Sequence, residues 1–465
     1  MKIAAFDVIA AVSTPPGKGG VAIIRVSGEG AFEVADRVFL SVGGRDFSSL
    51  TPRVQYYGYV MDGGERVDDV LLTKFPAPHS YTGEDTVEIS CHGGILVQRT
   101  LLELLCKAGA RAAEAGEFTR RAFINGRITL TDAEAIGTLL DAKSRDQMRL
   151  AGERSRTRLT ERLDGIRARL VGMMSSIYAR IDYPDEDLGD YTDGELAEEL
   201  GQIAGDMSTL ADTYRTGRAV SEGICAVICG KPNVGKSSLY NLLVGEDAAI
   251  VTSVEGTTRD VLERTVPLGR VMLRLADTAG IRDANTVDEV ERIGIERSRK
   301  MMEKCELLFA IFDISRPVDD YDRWLLSEIK NISCPRIALL NKCDEVRAFD
   351  VSVLGDGFDA VLEISTVERT DEATRALTDV VNKLYTDEKI TVGEDAIISS
   401  ARQHAAILRA LELVRTARDA LAMGVPQDAV SSDIERAIGA LGELDGREVG
   451  EAVVADIFSR FCVGK

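Results

Sequence analysis

Gly230-Lys231-Pro232-Asn233-Val234-Gly235-Lys236-Ser237 has the spacing GxxxxGKS and follows directly on the apolar, β-rich run Ile224 to Cys229. Glycines at the first and sixth positions let backbone N–H groups turn inward around phosphate oxygens. Lys236 then reaches the β/γ oxygens. Ser237, followed by Ser238, opens a helix whose N-terminus favours anions and offers a hydroxyl to Mg²⁺. A second signal, Asn341-Lys342-Cys343-Asp344, closes the apolar run Ile337 to Leu340. A carboxylate at Asp344 accepts from guanine N1–H and N2–H₂, whereas adenine would leave buried polar groups unpaired at about 1–3 kcal/mol each. Together the two motifs imply a guanine nucleoside triphosphate.

Two further segments fall between them in the order that γ-phosphate sensing needs. Gly256-Thr257-Thr258-Arg259-Asp260 offers a second hydroxyl for Mg²⁺. Asp277-Thr278-Ala279-Gly280, after the strand-like Val271 to Leu275, matches the DxxG element that holds metal-bound water. In Glu363-Ile364-Ser365-Thr366, Ser365 takes the place of a fifth, base-contacting element. Ile281 stands where a Ras-type enzyme has its water-orienting Gln. Asp288, Glu289 and Glu291 are carboxylates able to orient water instead, and they equally suit a helix N-terminus. Asn233 tolerates loop geometry, and its amide oxygen also suits a monovalent cation replacing the charge of an arginine finger.

These loops need a scaffold, and the chain of 465 residues is long enough for two to four domains. From Phe6 to about Ile124 the pattern is short and mixed. Gly20 to Val26 and Thr86 to Ser90 read as strands, and Ile95 to Ala108 reads as a helix. Between Thr131 and Arg218 apolar residues fall at helical spacing, as in Leu159, Leu163, Ile166, Leu170, Met173 and Ile177. Tyr183-Pro184-Asp185 interrupts this helix before Leu196, Leu200, Ile203, Met207 and Leu210 resume the pattern. It returns after Tyr385 with Ile407, Leu408, Leu411, Val414 and Leu421, then two shorter helices. The expected organisation is an α+β domain over 1–124, an all-α domain split between 125–219 and 386–465, and an α/β P-loop domain over 220–385 inserted into it.

A formal charge of −20 argues against nucleic-acid binding through a general basic face. The basic exceptions are Arg111, Arg120, Arg121 and Arg127 and the stretch from Lys143 to Arg169, for which solvated helix surface is the default reading. Eight cysteines without CxxC spacing, of which only Cys91 has a histidine beside it (His92), imply neither zinc nor a disulfide framework. The start of the chain has no signal-peptide pattern, and no apolar run approaches a membrane span, which implies a cytoplasmic location.

Outside the P-loop block the chain carries Pro15 to Arg25 (PPGKGGVAIIR), Ser80 to Asp85 (SYTGED), His92-Gly93-Gly94, Gly116 to Thr119 (GEFT), Arg121-Ala122-Phe123 and the terminal Phe461 to Lys465 (FCVGK). With these motifs the whole chain resembles the tRNA-modification GTPases of the MnmE, or TrmE, family. The resemblance implies a 5-formyl-tetrahydrofolate-type cofactor at Arg25, Glu88, Arg127 and Lys465, with methylene-tetrahydrofolate as the one-carbon donor. It implies GTP at Asn233, Val234, Gly235, Lys236, Ser237, Ser238, Thr252, Gly256, Thr257, Thr258, Asp277, Thr278, Ala279, Gly280, Asn341, Lys342, Asp344 and Ser365. Magnesium falls to Ser237 and Thr258, and potassium to Asn233, Thr252, Val254 and Thr257. Glu291 becomes the water-orienting carboxylate, and Cys462 matches a cysteine needed for modification. Arg127 replaces the family's frequent Lys, which keeps charge and alters geometry.

The implied activity is potassium-dependent GTP hydrolysis coupled to pairing of two P-loop domains. It serves formation of a carboxymethylaminomethyl-type group at C5 of the wobble uridine of tRNA. Implied partners are a second copy of the chain, in a homodimer, and the FAD-binding MnmG (GidA) protein, in a heterotetramer. The alternative is a ribosome-assembly GTPase like Era or EngA without modification chemistry. Such a protein would carry a basic RNA-binding domain, and none is visible.

Overall fold

The computed structural model describes residues 7–182, 192–245, 264–275, 302, 304–446, 450–459, 461 and 464. They fall into two compact units, residues 1–140 with 439–465 and residues 141–438. The architecture is α+β at the N-terminus, then helical, with an α/β P-loop sheet between helical segments.

In the first unit the strands are β1 (Ile9–Val12), β2 (Val21–Ser27), β3 (Phe39–Ser41), β4 (Tyr56–Asp62), β5 (Glu65–Phe75), β6 (Thr86–His92) and β7 (Arg111–Ala112). They form a sheet of order β3-β4-β5-β6-β2-β1-β7, antiparallel except for the β1–β7 pair. Alternate residues Val60, Val70, Leu72, Val87 and Ile89 are buried, while Tyr57 and Leu71 are exposed, as expected of a sheet with one covered face. Leu101, Leu104 and Leu105 of the helix Ile95–Lys107 join that covered face. The C-terminal helix Glu451–Ser459 packs on the helix Glu117–Ile124, where Phe458, Leu130 and Ala133 form a small core. Gly116, at φ 66°, has no room for a side chain, since a Cβ would lie 2.4 Å from the Phe458 carbonyl oxygen.

The second unit holds β8 (Ile224–Cys229), β9 (Arg264–Leu268), β10 (Val271–Leu275), β11 (Leu307–Asp313), β12 (Arg336–Asn341) and β13 (Ala360–Ile364). Their order is β13-β12-β11-β8-β10-β9, parallel apart from the β9–β10 hairpin. Strand β11 is buried along its whole length, so apolar residues run on without alternation. Phe309 and Ile311 face a core that includes Leu239 and Leu377, whereas Leu308, Ala310 and Phe312 face one that includes Leu325 and Ile329. The period of two therefore sorts one apolar run onto both covered faces.

The helix Glu153–Asp182 buries Leu159, Leu163, Ile166, Leu170, Met173 and Ile177, the residues singled out by spacing. The helix Asp193–Asp212 opens with a capping box at Thr192 and Glu195 and packs along the helix Ala401–Ala422. Leu408, expected on the apolar face of the latter, is 43% exposed. The chain leaves and re-enters the helical segments at one place. Thr213 Oγ1 accepts from the Ile398 N–H at 3.0 Å, Thr216 Oγ1 accepts from the Asp387 N–H at 3.0 Å, and Ser221 Oγ donates to the Ser399 carbonyl at 3.0 Å. Gly217 sits so close that a Cβ would meet the Ile398 carbonyl oxygen at 2.0 Å.

Candidate functional site

Strand β8 is the central parallel strand, and the loop after it gathers the phosphate-motif residues. Gly230 has φ 153°, Asn233 φ 62° and Gly235 φ 104°, after which the helix Lys236–Val244 begins. A Cβ on Gly230 would meet the Ile311 carbonyl oxygen at 2.5 Å, and one on Gly235 would meet Asn341 Nδ2 at 2.2 Å. Only backbone fits at these two points, which is the cradle a phosphate chain requires. Lys236 Nζ donates to the carbonyl oxygens of Gly230 and Lys231, at 2.7 Å each. Burial lowers the Lys236 pKa, and an incoming phosphate would restore its preference for charge. Val234 is buried, and Asn233, Ser237 and part of Ser238 face solvent.

The base motif is fastened to the same loop. Asn341 Nδ2 donates to the Val234 carbonyl at 2.8 Å, and Asn341 Oδ1 accepts from the Thr366 N–H at 3.1 Å. Asn341 thus ties the phosphate loop to the end of β13. Lys342, at φ 67°, directs Nζ to Asp313 Oδ2 at 2.7 Å. Burial alone would raise the Asp313 pKa, but Lys342 and Ser315 outweigh it and hold the carboxyl below its usual range. Asp344 is exposed, and the Ser365 hydroxyl lowers its pKa. Ser365 Oγ also accepts from the Glu368 N–H at 3.1 Å. The fifth element therefore stands beside the base motif.

Sequence reasoning did not single out Lys231, Asp313, Asp319, Asp322 or Thr366. Lys231 Nζ reaches Asp319 Oδ2 at 2.7 Å and Asp322 Oδ2 at 2.8 Å, the two carboxylates of the capping box that opens the helix Asp320–Ile329. The pattern Asp-x-x-Asp before an apolar stretch signals that cap, but only the fold brings it to the loop.

In the first unit Arg25 lies directly opposite Glu88 across the β2–β6 pair. Its Nε and one terminal nitrogen donate to Glu88 Oε1 at 3.0 and 2.8 Å. The guanidinium also lies 4.9 Å from the centre of the Tyr81 ring and 5.6 Å from that of Phe118. Arg127 is exposed, with Cγ 3.0 Å from the position a Cβ on Gly83 would take. Gly464 is buried, and a Cβ there would lie 2.2 Å from the Val12 carbonyl oxygen. Gly464 thus lies at the end of β1, whose partner strand carries Arg25. Much of the basic cluster singled out by sequence is paired internally. Arg121 meets Asp7, Glu84 and Glu117, and Arg111 meets Asp7 and Glu117. On the long helices Arg162 and Arg169 meet Asp206, and Arg169 also meets Glu199.

Thr252, Val254, Gly256, Thr257, Thr258, Asp277, Thr278, Ala279, Gly280, Glu291, Cys462 and Lys465 lie outside the described residues. Among the described residues there is no cluster of His, Cys, Asp and Glu able to hold a metal, and no helix long and apolar enough to cross a membrane.

Residues 8–127 match the family model described as GTP-binding protein TrmE N-terminus, and residues 130–462 match that of the MnmE helical domain. The chain is 38% identical over 464 residues to a tRNA modification GTPase MnmE of Carboxydothermus hydrogenoformans, covering 99% of each. It is 40% identical over 460 residues to one of Symbiobacterium thermophilum, again covering 99% of each. A solved structure of Era with MgGDPNP and a 16S ribosomal RNA segment covers 41% of this chain and 66% of its own at 22% identity. The TM-score is 0.27, too slight a likeness to bear on this chain.

Proposed function

The chain belongs to the family of tRNA modification GTPases named MnmE, and on that premise we propose a GTP hydrolase that acts in tRNA modification and draws on potassium, folate and a flavoprotein partner. The observation that carries the nucleotide reading is the Asn341 bridge. One side chain joins the phosphate loop at Val234 to the base loop at Thr366, so both ends of a guanine nucleotide meet a single preorganised frame. Lys236 and Ser237 take the phosphates and Mg²⁺, with Thr258 as the second magnesium hydroxyl. Asn341, Lys342, Asp344 and Ser365 take the base.

A cation site at Asn233, with Thr252, Val254 and Thr257, compensates for the missing arginine finger. Potassium there would supply positive charge at the developing phosphate charge. Glu291 orients the attacking water. Thr278, Ala279 and Gly280 complete the γ-phosphate contact with Asp277 and Gly256. In the first unit Arg25, Glu88, Arg127 and Lys465 hold a folate-type one-carbon carrier. The aromatic faces beside Arg25 suit a pterin ring, and the cations suit a glutamate tail. Cys462 acts near that carrier in forming the aminomethyl-type group on wobble uridine, together with an FAD-dependent partner and a second copy of the chain.

The test is steady-state GTP hydrolysis in potassium against sodium at equal ionic strength. Asn233→Ala should abolish potassium stimulation, and Glu291→Ala should lower turnover about 100-fold or more. Equal rates in both salts would remove the cation and shift activation to an external partner.

A further inference from the structure

Cys305 and Cys334 lie side by side, although the spacing of the eight cysteines implies no disulfide framework. Cys305 precedes β11 and Cys334 precedes β12, and the parallel register that sets Leu308 beside Arg336 brings their Sγ atoms to 3.3 Å. Cys305 is buried, with its Sγ also 3.1 Å from the Met302 carbonyl oxygen, while Cys334 is half-buried. The hydrogen bond from Cys305 and the nearby Arg336 guanidinium hold the Cys334 thiol below its ordinary pKa, which raises its thiolate fraction near neutral pH. The same contact and, after it, burial push the Cys305 thiol up. Cys334 is therefore the more accessible, attacking sulfur and Cys305 the shielded, resolving one.

We propose that Cys305 and Cys334 are a redox-modification site, reacting with low-molecular-weight disulfides to form a reversible bond between the starts of β11 and β12. The Cys334 thiolate attacks one sulfur of the reagent disulfide, a mixed disulfide forms, and one reagent thiolate leaves. Cys305, on losing its proton to the departed thiolate, attacks the Cys334 sulfur and expels the second reagent thiolate. Two protein thiols are oxidised and one reagent disulfide is reduced to two thiols. The Sγ separation of 3.3 Å leaves a closure of about 1 Å to reach the roughly 2.05 Å bond of a disulfide. The bond lies at the opposite ends of the strands from Asn341 and the phosphate loop, so the nucleotide groups are not displaced.

The test treats the folded full-length protein with oxidised glutathione, quenches in acid, alkylates and maps peptides by mass spectrometry. The expected product joins the Cys305 and Cys334 peptides and is reversed by dithiothreitol. In Cys305→Ser, with Cys305→Ala as a second variant and nucleotide binding as the check on folding, glutathione should accumulate on Cys334 roughly tenfold above wild type. Wild type that retains glutathione on Cys334 to the same extent as the variants would overturn the proposal. So would a Cys334 that stays unmodified in all of them, or a cross-link to Cys225 instead.

Discussion

Gly235 carries two constraints at once, a φ of 104° and a Cβ position 2.2 Å from Asn341 Nδ2. Gly235→Ala must either push Asn341 off Val234 and Thr366 or distort the loop. The expected cost is about 1–3 kcal/mol of stability and at least about tenfold in GTP affinity, read by urea unfolding and fluorescent-nucleotide titration. Glu117 gives a pH dependence. Burial pushes its pKa up, but hydrogen bonds from Arg111, the Glu114 N–H and Arg121 outweigh burial and leave it at about 2. Its folded pKa is below the unfolded value of 4.5, so its stabilisation is full above that value and is lost as pH falls toward about 2. Unfolding free energy should drop by about 3 kcal/mol over that range, and Glu117→Gln should remove most of the drop. The glycine was legible from its motif. The Glu117 network was not, because its members, Asp7, Glu84, Arg111 and Arg121, are scattered along the sequence and meet only after the sheet forms.

At the scale of elements, the apolar spacing placed β8, β10 and the helix Ile95–Lys107 to within a residue, and it marked the buried face of the helix Glu153–Asp182 without its ends, because buried faces enforce their periods. It did not show which cap meets which loop. Lys231 joins the phosphate loop to the first turn of the helix Asp320–Ile329, and Asp322 is almost wholly buried there. Asp322→Asn removes the buried one of the two charge partners of Lys231 and keeps the cap geometry. Its expected effect is a threefold to tenfold rise in KM for GTP, roughly 1 kcal/mol, with kcat little changed, measured by steady-state hydrolysis. Leu170→Ala in the helix Glu153–Asp182, where Leu170 has no exposed surface, should cost about 2–5 kcal/mol without altering nucleotide affinity at temperatures where the chain stays folded. Thermal unfolding with and without GTP separates the two effects.

For the whole molecule, the sequence showed helical segments on both sides of the P-loop sheet but not that they touch. The helix Asp193–Asp212 lies along Ala401–Ala422, and Thr213, Thr216 and Ser221 are stitched to Ile398, Asp387 and Ser399. Gly217→Ala should therefore disturb both sides of the junction. The expected loss is about 1–3 kcal/mol in a single unfolding transition, and a loss confined to one of two separated transitions would contradict it.

That shared doorway also orders events in time. The helix Asp193–Asp212 leaves the ribosome long before Ala401–Ala422, and 185 residues separate Thr213 from Ile398. At about 5–20 residues per second, its apolar face waits roughly 10–40 s for its mate, while the P-loop sheet between them is synthesised. The nucleotide frame can close during this interval, and the helical pair cannot. A chain released early would therefore lack the cover that Ala401–Ala422 gives the helix Asp193–Asp212, and chaperones and proteases would act there first.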